Sequence, residues 1–187
     1  VLWARPKYPY PTQDGSRAGF TLIETIVALG ILLIAVVGPI SLIGDSLHKM
    51  YYARDGVLAV NLAQEGIEMV RQVRDSNMLG GVAWLTNLDD GTYTIDARRF
   101  ITGNTPSEFV ILCGAACVPQ PVFLDVANGL YRQAGGGTVT QFSRIVTVAG
   151  VGSFPYNETK VTSRVDWKTG GSTGTASVSE YIFSWAK

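Results

Sequence analysis

The chain has 187 residues, with 15 basic and 15 acidic side chains and a single histidine. That length supports one domain with its own core plus an added segment, and the zero formal net charge gives no bulk signal for nucleic-acid binding. Charged residues are only 16 % of the chain and hydrophobic ones 47 %, and the apolar residues are concentrated near the front.

The first segment, Val1 to Gly19, reads as a leader rather than a packed element. Its prolines, its tyrosines and Asp14-Gly15 argue against a helix. Arg5, Lys7 and Arg17 outweigh Asp14, so the positive-inside rule keeps this end in the cytoplasm and places the C-terminal body outside. The mixed charges of Asp45, His48, Lys49 and Arg54 beyond the apolar run do not reverse that bias.

From Phe20 to Ile43 the chain is apolar except for Glu24. As a helix these residues reach roughly 36 Å, enough to cross a hydrocarbon core of about 30 Å, and the run is too long for the apolar part of a secretory signal peptide. A carboxylate in such a helix costs about 2.5–3.5 kcal/mol when central and less near an end, so Glu24 calls for a partner. Its simpler role is to sit at the positive end of the helix dipole. Gly30 is a place for close helix packing. Gly38-Pro39 removes one backbone hydrogen bond and reads as an ordinary kink unless the resemblance given below makes it a bend used in packing.

The helical pattern continues past the membrane. Leu47, Tyr51, Leu58, Leu62, Met69 and Val73 recur at spacings of four and seven, one face of a helix interrupted by Arg54 and Glu65. A helix from Phe20 to about Asn77 is expected, with two helices broken at Gly44-Asp45 as the alternative. Glu65, Glu68, Arg71, Arg74 and Asp75 form i,i+3 and i,i+4 pairs on a solvated or partner-facing surface.

After Gly81 the pattern turns to short β-rich runs: Thr92–Asp96, Glu108–Leu112, Ser143–Val148, Lys160–Trp167 and Ser177–Trp185. Val161, Val165 and Trp167 alternate with Thr162, Arg164 and Asp166, as in a half-buried strand. Thr169 to Gly174 reads as a hairpin loop and Gly135-Gly136-Gly137 as another loop. Tyr181, Phe183 and Trp185 share one face and read as core. The fold class is α+β, a long N-terminal helix on an antiparallel sheet. Cys113 and Cys117 form a structural disulfide if the body is exported. Their spacing differs from the redox Cys-X-X-Cys motif, and a zinc site lacks four ligands. No metal and no cofactor are expected. Enzymatic signatures are missing: there is no nucleophile elbow and no phosphate-cradling loop, and Asp89-Asp90 before Gly91 reads as a turn.

Arg-Ala-Gly-Phe-Thr-Leu-Ile-Glu, Arg17 to Glu24, with a basic leader before it and an apolar run behind, resembles the processing site of type IV prepilins and of type II secretion pseudopilins. The resemblance implies cleavage by a prepilin peptidase between Gly19 and Phe20, methylation of the Phe20 amine, and a role for Glu24 in subunit register through a neighbour's amine. It also implies other pilin subunits and an inner-membrane assembly platform as partners. The expected order is a leader (1–19), a transmembrane or filament-core segment (20–43), an amphipathic extension (44–79) and an extracytoplasmic β-rich head (80–187). Asn61 to Asn77, with Trp84 after it, is similar to minor pilins of the pilus-modification type. The long leader and the unusual set of loops in the head favour a minor pilin over a major one, with a pseudopilin of a secretion or DNA-uptake system as the alternative. A membrane-anchored adhesin that never enters a filament would need neither Gly19 nor Glu24.

Overall fold

The computed structural model describes residues 19–97, 110–113, 117–133 and 135–184. It divides into two compact units, Val1–Asp45 and Ser46–Lys187. One element runs through both: α1 spans Leu22–Leu79, 58 residues, with no break at Gly44-Asp45 and with Pro39 inside it. Its C-terminus is closed by a Schellman arrangement. Gly81, at φ +70°, donates to Met78 O at 3.2 Å, and Val82 N donates to Asn77 O at 3.0 Å. Buried Asn77 then donates through Nδ2 to the carbonyls of Trp84 and Thr86, fixing the chain that leaves the helix.

In the first unit the apolar side chains of α1 are exposed, and its most apolar 18-residue window has a mean hydropathy of 2.8 with none of it buried. By length and composition this is a helix able to cross a membrane.

In the second unit, α1 lies on an antiparallel sheet of seven strands: β1 Gly91–Ile95, β2 Val110–Leu112, β3 Gln120–Asp125, β4 Leu130–Arg132, β5 Thr138–Val151, β6 Glu158–Thr169 and β7 Ser172–Phe183. β5 is the spine. One of its edges pairs with β6 over ten residue pairs, and β6 carries β7. Its other edge is shared, β1 against Val146–Val148 and β3 against Thr138–Arg144.

The buried line of α1 is Asp55, Ala59, Leu62, Ala63, Gly66, Ile67, Val70, Val73 and Asn77, a spacing of three and four. Leu62 and Val73 of the expected stripe lie on it. Leu47 and Tyr51 are exposed instead, because near that end the β6–β7 turn meets the face carrying His48, Tyr52 and Asp55. Small residues bring helix and sheet close. A Cβ on Gly66 would lie 2.5 Å from Ser163 Oγ and 3.1 Å from Val146 Cγ2, so no larger residue fits. Ile67, Val70 and Val73 pack with Leu88, Ile95, Val146, Val148, Val161 and Ile182, each buried side chain contributing about 1.5–3 kcal/mol. A second cluster gathers Ala59, Leu62, Val122, Phe142, Val165 and Trp167.

One cation ties these layers together. Arg144 on β5 is 1 % exposed. It donates to Leu62 O (2.9 Å) and Glu65 Oε1 (2.8 Å) on α1, to Ile95 O (2.7 Å) at the end of β1, and to Gln133 Oε1 (3.0 Å). The Gln133 amide takes the place of a strand where β1 stops and β3 starts. It accepts from Ile95 N and donates to the carbonyls of Gln120 and Arg144.

The β6–β7 turn is fastened to α1 by three bonds: His48 Nε2 with Ser172 Oγ (3.2 Å), Tyr52 OH to Thr173 O (3.2 Å) and Thr169 Oγ1 to Asp55 Oδ2 (2.7 Å). Burial pushes the Asp55 carboxyl up. Hydrogen bonds from Thr169, Arg54 and Gln141, with the Arg54 charge, outweigh it and hold Asp55 below its ordinary value.

Three expectations about the strands are corrected. The hairpin loop is only Gly170-Gly171; Ser172 to Gly174 belong to β7, where Gly174 leaves room for the Trp167 ring. Tyr181 and Phe183 are not core, being 49 % and 51 % exposed, because Ala176, Val178 and Ile182 set the inward phase of β7; Trp185 lies outside the described residues. β3 and β4 were not expected: Pro121 disguises β3, where the register shifts between Pro121 and Phe123, and β4 has only three residues. Of the run Glu108–Leu112, the described part is β2. Asp90, read as a turn residue, also accepts from Gly150 N (2.6 Å) and Tyr156 OH (2.8 Å), fixing the loop between β5 and β6.

Replacing Arg144 by alanine takes this donor from Glu65 and from the carbonyls of Leu62 and Ile95, and removes one of the two bonds to Gln133 Oε1. It is expected to cost about 3–5 kcal/mol, read as a lower midpoint in denaturant unfolding of the detergent-solubilised chain. A midpoint within error of the parent would show that the network contributes little.

Candidate processing and assembly site

Gly19 and Phe20 lie outside the helix, immediately before it, and Phe20 is 82 % exposed. Thr21 stops α1 at that point. Its Oγ1 accepts from the amide of Glu24 at 3.3 Å, and its carbonyl accepts the first helical bond, from Thr25 N at 3.2 Å. Thr21 is thus the N-cap and Glu24 the third helical residue, the spacing of a capping box. The junction Gly19–Phe20 is left in non-helical chain, and a carboxylate stands in the first turn, where the helix dipole favours negative charge.

Glu24 is exposed, and among the described residues its carboxylate has no hydrogen bond or ion pair. The chain alone therefore supplies its helix-end environment but no cation. Arg17 and the leader up to Ala18 lie outside the described residues. Gly38 and Pro39 are both within α1, and Pro39 brings no amide to the carbonyl of Ala35. Gly30 has open space where a Cβ would stand. Cys113 and Cys117 are joined as a disulfide with Cα atoms 5.4 Å apart, directly after β2, and Cys113 N donates to Thr92 O. Among the described residues no three His, Cys, Asp or Glu side chains gather as a metal site.

The structure thus brings Gly19, Phe20 and Glu24 to one end of α1; Gly38-Pro39 and the cysteines lie elsewhere along the chain. Two contributors were not singled out from the sequence. Thr21 is signalled by the Thr-X-X-Glu pattern. Arg144 carries no local signal, since its partners come from 79 and 82 residues earlier.

Residues 15–38 match the model of the prokaryotic N-terminal methylation motif. Neither the curated proteins nor the solved structures gave a match. That motif is found in structural proteins of the pilin type, which are not enzymes, and it implies processing by a prepilin peptidase and assembly with other pilins.

The cap makes its own prediction. Thr21→Ala should cost about 1 kcal/mol of local stability, seen as roughly fivefold faster exchange of the Glu24 and Thr25 amides, with Thr21→Ser close to the parent; equal exchange in all three would remove the capping role. An exposed apolar helix opening on this motif, followed by an antiparallel sheet, gives the chain a type IV prepilin- or pseudopilin-type class III signal peptide on an α+β, pilin-like fold.

Proposed function

We propose that this chain is a minor pilin of a type IV pilus, cut between Gly19 and Phe20 and assembled through α1. The observation that carries this reading is the methylation motif at residues 15–38, which ends within a helix whose apolar side chains from Leu22 to Ile43 are exposed among the described residues. The leader stays in the cytoplasm, residues 20–43 cross the inner membrane, residues 44–79 extend the helix, and residues 80–187 form the head outside. The same chemistry would serve a pseudopilin.

Each group at the junction has a part. Gly19 offers an unhindered peptide bond to the peptidase. Cleavage turns Phe20 N into an α-amine with a reference pKa of about 8, cationic at neutral pH, and methylation keeps that charge. Glu24 of one subunit pairs with the Phe20 amine of the next, which removes the cost of an unpaired carboxylate in an apolar surrounding and fixes axial register. Lateral helix packing replaces lipid around the remaining apolar side chains, and the missing amide of Pro39 lets the helix bend as subunits pack. The Cys113–Cys117 disulfide is suited to an oxidising compartment.

In cells that carry the assembly platform, the parent chain should appear in sheared filaments. Glu24→Ala should be cut at the parent rate but enter filaments about tenfold less, the effect of roughly 1.4 kcal/mol. Normal incorporation of the Glu24→Ala chain would sink the pairing. Absence of the parent chain from filaments, with the major subunit present, would favour a membrane-anchored binding module.

A further inference from the structure

Among the described residues, the hairpin of β3 and β4 ends on a cation without a counter-charge. Tyr131 packs into the core with Phe142 and Val165, so the next residue, Arg132, projects to the opposite face of the sheet, across from Phe123. Arg132 is half-buried, and its Nε is closed to solvent with no hydrogen-bond partner. Among the described residues its guanidinium forms no ion pair either. Asp125 of the same hairpin directs its carboxylate to Ala127 N and Asn128 Nδ2 in the turn. An arginine shielded in this way would ordinarily be paired; Arg144, which is fully buried, has every side-chain nitrogen engaged.

The loop that follows is shaped to that guanidinium. Gly135, Gly136 and Gly137 have φ of +69°, +74° and +134°, a run that L side chains rarely adopt. A Cβ on Gly136 would collide with Nη2 of Arg132, and one on Gly137 would lie 2.7 Å from Leu124 O. The glycines therefore do more than turn the chain: they let bare backbone lie against the cation. Among the described residues the amides of Gly135 and Gly136 donate no hydrogen bond. Bare backbone amides in a positive-φ turn, beside a guanidinium with an unused edge, are the components of an anion-binding concavity.

We propose that Arg132 and the Gly135–Gly137 turn form a binding site for one oxyanionic group, a carboxylate or a phosphate. With Nε closed to solvent, the two Nη groups of the guanidinium donate to two oxygens of the group, as planar guanidinium does to both anions, and the glycine turn admits it close to the main chain. The site lies on the face of the sheet away from α1, so an anion borne by a small molecule or by a neighbouring protein can reach it. The proposal is independent of cleavage at Gly19 and of filament assembly.

The full chain in detergent micelles, labelled with 15N, is titrated with inorganic phosphate and separately with acetate, with sodium chloride at matched ionic strength as control. Saturable shifts confined to Arg132 and Gly135–Gly137 are expected with at least one of the two anions, the tighter one naming the oxyanion. Arg132→Gln should weaken that binding at least tenfold. No saturable shift with either anion, shifts that sodium chloride reproduces, or equal affinity in Arg132→Gln would each overturn the site. The parent titration alone decides the matter if the variant does not fold.

Discussion

The second unit depends on one buried guanidinium. Arg144 joins α1, the end of β1, its own strand and the Gln133 amide that bridges the gap between β1 and β3. Desolvating an arginine is costly unless every donor is met. Here its donors find two carbonyls, a carboxylate and a side-chain amide. Apolar contacts hold helix to sheet over a broad area, but they do not fix position along it. A set of directed bonds from one side chain does, and it explains how two strands of different length share one edge of β5 without leaving buried backbone groups unpaired.

Around that fixed point the helix is built for two surroundings. Between Asp55 and Asn77 it shows the sheet a narrow face rich in Ala59, Ala63 and Gly66, close enough that Gly66 has no room for a side chain. Between Leu22 and Ile43 it has no such face, and its apolar residues are exposed all round. A helix apolar on every side is stable only in lipid or among other helices. The N-terminal methylation motif at its start and the carboxylate in its first turn fit the proposed passage from the first of these surroundings to the second.

How much of this the sequence reveals follows the range of the interactions. The long helix was legible because its pattern is local and sustained: an apolar run from Phe20 to Ile43 and then a stripe at spacings of four and seven. The strands with clear alternation, β5 to β7, were legible in position, with their ends extended by pairing. The face of β7 was misread because its largest side chains, Tyr181 and Phe183, point outward while small Ala176 and Val178 point in. Residue size is a weak guide where the neighbouring Trp167 already fills the space. Arg144 and Gln133 were invisible, since an arginine in a strand reads as an outward residue until helix and sheet are brought together. At the proposed processing site, Gly19, Phe20 and Glu24 stand out as a motif in the sequence, and the cap at Thr21 is present in the same eight residues.

The most direct test of the account is the intact mass and N-terminal sequence of the chain after co-expression with an active prepilin peptidase. A product that begins at Phe20 with a methylated amine is the predicted result. A chain still beginning at Val1, while the same peptidase cuts a control prepilin, would contradict it and leave α1 as an ordinary membrane anchor.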